Sequence, residues 1–157
     1  MAIAYLNGEW MQPEDARVSV FDRGFMFGDG IYEVMAVYDD EVFTLDQHLV
    51  RLQRSLDAIR LVSPHSSEEW RSLILEAVER GQENPAYLYL QVTRGVAAPR
   101  NHVYPEVVQP TVLMTVMHAP VLERQNVAPL KVVTKEDFRW GRGDIKVVSL
   151  IANCFVL

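Results

Sequence analysis

The chain has 157 residues, 49% hydrophobic and 23% charged, a balance that supports one sizeable folded core and argues against disorder. Twenty-one acidic residues against 15 basic ones give a net charge of −6 with no Lys/Arg cluster, which disfavours nucleic acid and anionic membranes as partners. No apolar run is long enough to span a bilayer and the start, MAIAYLNGEW, has no secretory leader pattern, so a cytoplasmic location is the simplest expectation.

The opening IAYLNGEW sets Asn7-Gly8, the commonest two-residue hairpin turn, between two short runs expected to be strands. After a loop containing Pro13, Val18 to Phe21 is expected as another short strand, followed by the Gly-rich stretch FDRGFMFGDG. Ile31 to Tyr38, IYEVMAVY, is apolar on both alternating faces except at Glu33, the pattern of a strand covered on both sides. Asp39-Asp40 then turns the chain back into EVF.

Thr44 with Gln47 three residues on fits a capping box, and Leu45, Leu49, Leu52, Leu56 and Ile59 recur on one face of the helix that follows. Ser66 with Glu69 repeats the pattern ahead of a second helix whose apolar face is Trp70, Leu73, Ile74, Ala77 and Val78, with Gly81 as its expected C-terminal cap. Strands are expected again in AYLYLQVTRG, PTVLMTVMHAP and LKVVTKEDF, each rich in β-branched and aromatic residues.

This order implies an α+β fold: an N-terminal domain over residues 1–119, with a mixed or antiparallel sheet and two helices, and a linker over 120–129. Residues 130–157 read as the incomplete start of a second α/β domain, because the chain stops inside the apolar run SLIANCFVL whereas chains usually leave a domain through exposed residues.

Candidate chemistry lies at a handful of positions. Lys146 sits among Ile145, Val147 and Val148; drawn out of water, its ammonium is disfavoured and the amine becomes a usable nucleophile toward an aldehyde, although a lysine snorkelling from an edge strand fits the same residues. Arg51 lies on the first helix but off the leucine stripe, where its guanidinium fork can meet phosphate oxygens or simply be solvated. Arg100-Asn101-His102 follows Pro99 in a loop between strands, a combination able to hold a carboxylate. Tyr32 starts a buried strand and needs a hydroxyl partner, while Glu33 on the opposite face should be paired or near an opening.

The single cysteine, Cys154, has no disulfide partner and is expected as a small core hydrophobe. Gly28-Asp29-Gly30 lacks the third glycine of a dinucleotide fingerprint, the histidines have no ligand-like spacing for a metal, Arg142-Gly143-Asp144 is read as a chance tripeptide, and no Gly-x-Ser-x-Gly elbow is present.

Taken together, YLNGEW, DRGFMFGDGIYEV, FTLDQHLVRLQRSL, YLQVTRG and DIKVVSLIAN, in that order, resemble the fold-type IV pyridoxal-phosphate enzymes, a family that includes D-amino-acid aminotransferases, branched-chain aminotransferases and aminodeoxychorismate lyases. The resemblance implies that Lys146 is the Schiff-base lysine and proton carrier and that Arg51 binds the phosphate of pyridoxal 5'-phosphate. The loop PRNHVYP is similar to the D-amino-acid version, which implies that Arg100 and His102 reach across a homodimer to hold a substrate carboxylate with Tyr32.

The expected activity is therefore ping-pong transamination between a D-amino acid such as D-alanine and a 2-oxo acid. Branched-chain aminotransferase or aminodeoxychorismate lyase activity is the first alternative; a non-catalytic dimerisation or binding module is the second. The family's chains continue beyond the lysine into a region that carries the carboxylate facing the pyridine nitrogen and most of the phosphate cup, and this sequence ends at Leu157 before reaching it.

Overall fold

Hairpins open and frame the sheet. Asn7 and Gly8 both take positive φ (51° and 103°), the geometry that matches a two-residue turn to the twist of its strands, and they join β1 (Ile3–Leu6) to β2 (Glu9–Met11). Asn7 also ties this hairpin inward: its amide donates to the Val112 carbonyl, and its side-chain oxygen accepts from the Val112 amide. Asp39 and Asp40, again at positive φ, connect β3 (Gly30–Tyr38) to the two-residue β4 (Glu41–Val42). The computed structural model describes residues 3–107, 109–120, 129, 131–134, 136–137 and 141–155.

With β5 (Ala86–Thr93) and β6 (Thr111–His118), these strands form a six-stranded sheet in the order β2-β1-β6-β5-β3-β4, with every pair antiparallel. The long register between β3 and β5 runs from Gly30 opposite Thr93 to Val37 opposite Ala86. Two helices lie on one face. On α2 (Leu45–Ala58) the leucine stripe buries Leu49, Leu52 and Leu56, and on α3 (Ser67–Gly81) Trp70, Ile74, Ala77 and Val78 are buried.

These side chains meet Met35 and Val37 of β3, Leu88 and Leu90 of β5, and Met114 and Val116 of β6 in one core, where each contributes on the order of 2 kcal/mol by leaving water. The architecture is thus the expected α+β arrangement, with a purely antiparallel sheet. Ile145, far along the chain, joins the same core.

Several local expectations are corrected. Ser66 and Glu69 do form a reciprocal capping box, but Thr44 and Gln47 do not. The Phe43 amide still bonds back to the Ala36 carbonyl, and Thr44 leaves that hairpin with φ 54°, not the extended backbone from which an N-cap hydroxyl reaches the first turn. Gly81 is the last residue of α3, and the left-handed cap is Gln82; a Cβ on Gly81 would lie 2.6 Å from Val116 Cγ1, so close packing on β6 is what keeps this glycine bare.

Val18 to Phe21 forms no strand. It is an exposed bend leading to Asp22, which accepts from the Gly24 amide as N-cap of the short α1 (Arg23–Phe27). β3 is covered on one face only among the described residues: Ile31, Glu33, Met35 and Val37 are buried, whereas Val34 and Tyr38 are exposed.

The linker expected over 120–129 lies mostly outside the described residues, and residues 131–134 and 136–137 of the expected third late strand carry no ladder. Cys154 is exposed on α4 (Ile151–Cys154), not in a core, because none of the residues of this short helix is buried.

Gly95, just past β5, has φ 85°, and a Cβ there would meet the Gln109 carbonyl oxygen at 1.9 Å. Both the left-handed backbone and the backbone-to-backbone clash oppose any side chain. Gly95→Ala is expected to lower the unfolding free energy by about 2 kcal/mol or more in urea titrations, with an unchanged slope.

Candidate functional site

The edge of β3 not taken by β5 is divided between two partners. Near its C-terminal end it pairs with β4, while near its start Ile31 forms an isolated antiparallel bridge with Val147. The Tyr32 amide donates to the Lys146 carbonyl (3.0 Å) and the Val148 amide to the Gly30 carbonyl (3.1 Å).

In this register Tyr32 and Lys146 stand opposite each other on the same face, and the Lys146 Nζ sits 3.8 Å from the Tyr32 ring centroid. The lysine segment is also tied to α2: the Lys146 amide donates to the buried Ser55 hydroxyl (3.4 Å), and Arg54 donates to the Asp144 carbonyl (3.4 Å). Lys146 is half-buried between buried Ile145 and half-buried Val147.

Arg51 comes to this place from α2. Strand alternation points Glu33 into the helix-covered core, where it is fully buried, and an uncompensated carboxylate there is costly. Arg51 answers it with a two-point fork, Nε to Oε1 at 2.8 Å and Nη2 to Oε2 at 2.5 Å. His48, one turn earlier, approaches Oε2 with its Nδ1 at 2.8 Å; an ionised carboxylate only accepts, so Nδ1 is the donor.

The hydrogen bonds to Glu33 push the Arg51 guanidinium above its ordinary value, so it stays charged throughout the physiological range. Its side chain remains 40% exposed, and the fork uses only Nε and Nη2, leaving Nη1 outside the pairing. A fixed, partly open cation results.

Lys146, Arg51 and Tyr32 line one cavity of about 750 Å³, together with Phe27, Arg54 and Asn153 among others. That volume suits a ligand of small-cofactor size. A primary amine able to bond to an aldehyde carbon and a guanidinium able to bind phosphate oxygens form a donor set that fits pyridoxal phosphate. Among the described residues no cluster of His, Cys, Asp or Glu could hold a metal ion, and no helix is long and apolar enough to cross a membrane.

Arg100 and His102 lie just outside the lining of this cavity. They pack around Phe27, with the Arg100 guanidinium 4.5 Å from its ring centroid and the His102 ring at 5.3 Å, and they are exposed. Among the described residues, neither lines the cavity of its own chain.

The structure also displays a buried polar group that no sequence pattern marks: Asp22, Arg23, Asp29 and Arg94. Asp22 accepts from the Thr93 and Thr111 hydroxyls (2.8 and 2.7 Å), and Asp29 accepts from both Arg23 and Arg94. Three of them are charged residues within the glycine-rich stretch, and Arg94 follows β5 in VTRG.

The model of the family described as amino-transferase class IV matches residues 30–157. The chain belongs to the class IV aminotransferase family. A D-alanine aminotransferase of Listeria monocytogenes is 42% identical over 150 residues, which are 94% of this chain and 52% of that relative. This class IV chain thus spans about half the length of the curated relatives it matches.

Among solved structures, the branched-chain amino acid aminotransferase of Escherichia coli is similar over 74% of this chain and 40% of that one, with TM-score 0.69 and 21% identity. A second branched-chain amino acid aminotransferase, from T.th. and solved with pyridoxamine 5'-phosphate, is similar over 78% of this chain and 42% of its own, with TM-score 0.68 and 22% identity. The 4-amino-4-deoxychorismate lyase of Pseudomonas aeruginosa covers the same shares at TM-score 0.63 and 26% identity. The antiparallel sheet and its two helices are thus the N-terminal domain fold of the fold-type IV aminotransferases.

Because Glu33 and Arg51 hold each other across the β3–α2 contact, their effects on stability must be coupled. A double-mutant cycle of Glu33→Gln and Arg51→Gln, followed by urea denaturation, is expected to give a coupling of about 1 kcal/mol, limited by the water that reaches Arg51. Additive single effects would show that the fork carries no net stability.

Proposed function

We propose that this chain serves pyridoxal-phosphate-dependent transamination between a D-amino acid such as D-alanine and a 2-oxo acid, in a cytoplasmic homodimer. The observation that carries this reading is the meeting of Lys146 and Arg51 in one cavity, with Tyr32 beside the amine. When bound, the cofactor supplies the electron sink that makes loss of a proton from the substrate α-carbon feasible.

Every other part falls to the chain's own residues. Lys146 Nζ would hold the cofactor through its aldehyde carbon and, once free again, would carry the proton at the substrate α-carbon, as base and then as acid. The docking of its backbone on β3 and Ser55 limits where the amine can travel, so the face of the substrate it meets depends on how the substrate carboxylate is held. Arg51, oriented by Glu33, would receive the cofactor phosphate, and Arg54 is a second cation in the lining of the same cavity.

The preference for a D-amino acid rests on two supports: the likeness to proteins named D-alanine aminotransferase, and the Arg100–His102 pair in the loop. Those two side chains are outside the lining of their own cavity, packed on Phe27 at its edge, and in this reading they hold the substrate carboxylate of a second copy in a homodimer. Branched-chain aminotransferase or lyase activity is the runner-up, favoured by the folds of the solved neighbours, and it would not depend on that pair.

The test is to incubate the purified protein with pyridoxal phosphate, reduce with borohydride and locate the pyridoxyl group by peptide mass spectrometry. It is expected on Lys146 and absent from Lys146→Ala; a label elsewhere, or none, overturns the assignment. D-alanine is then expected to be turned over with a 2-oxo acid while L-alanine is not, and Arg100→Ala to raise the KM for D-alanine by about tenfold or more. Equal use of both enantiomers would favour the runner-up.

A further inference from the structure

Two arginines and one aspartate are sealed inside the molecule near the start of β3. The side chains of Arg23 and Arg94 are 4% and 2% exposed, and that of Asp29 is 10% exposed. Asp29 is the carboxylate to which both buried guanidinium groups bond, and it cannot take all their N–H groups, so the remaining ones must find other acceptors.

Asp29 takes a two-point fork from Arg94, Nε to Oδ2 at 2.8 Å and Nη2 to Oδ1 at 3.0 Å, plus Arg23 Nε to Oδ2 at 2.7 Å. The donors left over go to backbone carbonyls. Arg94 reaches those of Ile59 (2.7 Å) and Arg60 (3.3 Å) just beyond α2, whereas Arg23 reaches Asn101 (2.6 Å), His102 (3.4 Å) and Val103 (3.5 Å).

Three successive carbonyls of one loop therefore face a single buried side chain, with Asn101 the most closely bonded. Tyr104 closes the group from outside, its ring centroid 3.7 Å from the Arg94 guanidinium carbon. With the carbonyls of residues 101–103 turned inward, the side chains of Arg100 and His102 lie outside, packed on Phe27.

We infer that Arg23, fixed by Asp29 and Arg94, is a positioning residue for substrate-carboxylate recognition: it sets the shape of the 101–103 loop, and with it the direction in which Arg100 and His102 are presented. This rests on the proposed role of that pair. Arginine is needed at residue 23 because its planar fork bonds Asp29 through Nε while its outer nitrogens bond the loop; lysine can satisfy the aspartate or a carbonyl but cannot span both in that geometry.

The experiment is hydrogen–deuterium exchange on the full protein, wild type against Arg23→Lys, alongside steady-state kinetics and the borohydride labelling of Lys146. In Arg23→Lys the amides of residues 101–104 are expected to exchange about tenfold faster while those of β5 and β6 do not change. The KM for the amino acid is expected to rise about tenfold with kcat and Lys146 labelling nearly unchanged.

Loop exchange equal to wild type, or faster exchange spread evenly over β5 and β6, overturns the clamp. Faster loop exchange with an unchanged KM overturns its link to recognition. If Arg23→Lys fails to fold, Tyr104→Ala replaces it: the ring is half outside the protein, and its loss is expected to produce the same local acceleration and KM rise, an unchanged loop again sinking the proposal. A wild type that takes no label on Lys146 and turns over no amino acid defeats the transaminase reading, while exchange at 101–104 still decides the clamp.

Discussion

A carboxylate stands where a strand should present a hydrophobe to its core, and much of the site follows from it. Glu33 alternates with Ile31, Met35 and Val37 on the buried face of β3, so its charge has to be met inside the protein. α2 meets it with two residues one turn apart, His48 and Arg51, and this restricts both the rotation of the helix about its axis and its position along the strand. Once that crossing is set, Ser55 falls one turn further along, at the amide of Lys146, and Arg54 at the carbonyl of Asp144. The same carboxylate that would weaken a purely apolar core thus fixes the register by which helix, strand edge and lysine segment meet. Such a use of buried charge exchanges some stability for definition of geometry.

In a chain of net charge −6, the cavity gathers three cations, Lys146, Arg51 and Arg54, with Asp137 and Asp144 also in its lining. Arg51 is held charged by its hydrogen bonds to Glu33, but a buried neutral pair would attract no ligand; it is the incomplete pairing, with one outer nitrogen left over and Arg54 beside it, that keeps an anion-accepting surface. Among the described residues Lys146 lies over the Tyr32 ring and not against a carboxylate, and a cation–π contact is weaker than a buried ion pair for a ligand to displace.

Legibility in the sequence tracked how local each cause was. Asn7-Gly8, Asp39-Asp40 and the leucine stripe of α2 depend on neighbours a few residues away, and the structure follows them. Ser66–Glu69 and Thr44–Gln47 are the same pattern on paper, yet only the first caps its helix, because Thr44 is also the exit of a hairpin whose hydrogen bond at Phe43 dictates its backbone. Gly81 shows the same limit: its role is set by Val116, thirty-five positions away. Glu33 could be read as anomalous from alternation alone, though not its partners. Arg23, Asp29 and Arg94 were illegible because their meaning lies in non-local bonds, 78 residues from Arg23 to Asn101 and 65 from Arg94 to Asp29. The meeting of Lys146 and Tyr32 in one cavity was implied by family resemblance and by no spacing, since the two come together across an isolated bridge centred on Ile31 and Val147.

β3 links these regions mechanically. Its first residues carry the lysine segment on one edge, its middle holds Glu33 against α2, and Asp29, immediately before it, anchors the arginines that grip the 101–103 loop. A strand is stiff along its length, and β5 pairs with it residue by residue from Gly30 to Val37, so these attachments cannot shift independently. The amine, the guanidinium and the loop are therefore indexed to one rigid element while pointing to different sides of it: the first two into the cavity, the last around Phe27 toward solvent. In an assembly of identical copies, that arrangement allows the loop of one chain to be presented to its neighbour with the same accuracy as each chain's own lysine and arginine, without a flexible connection between them.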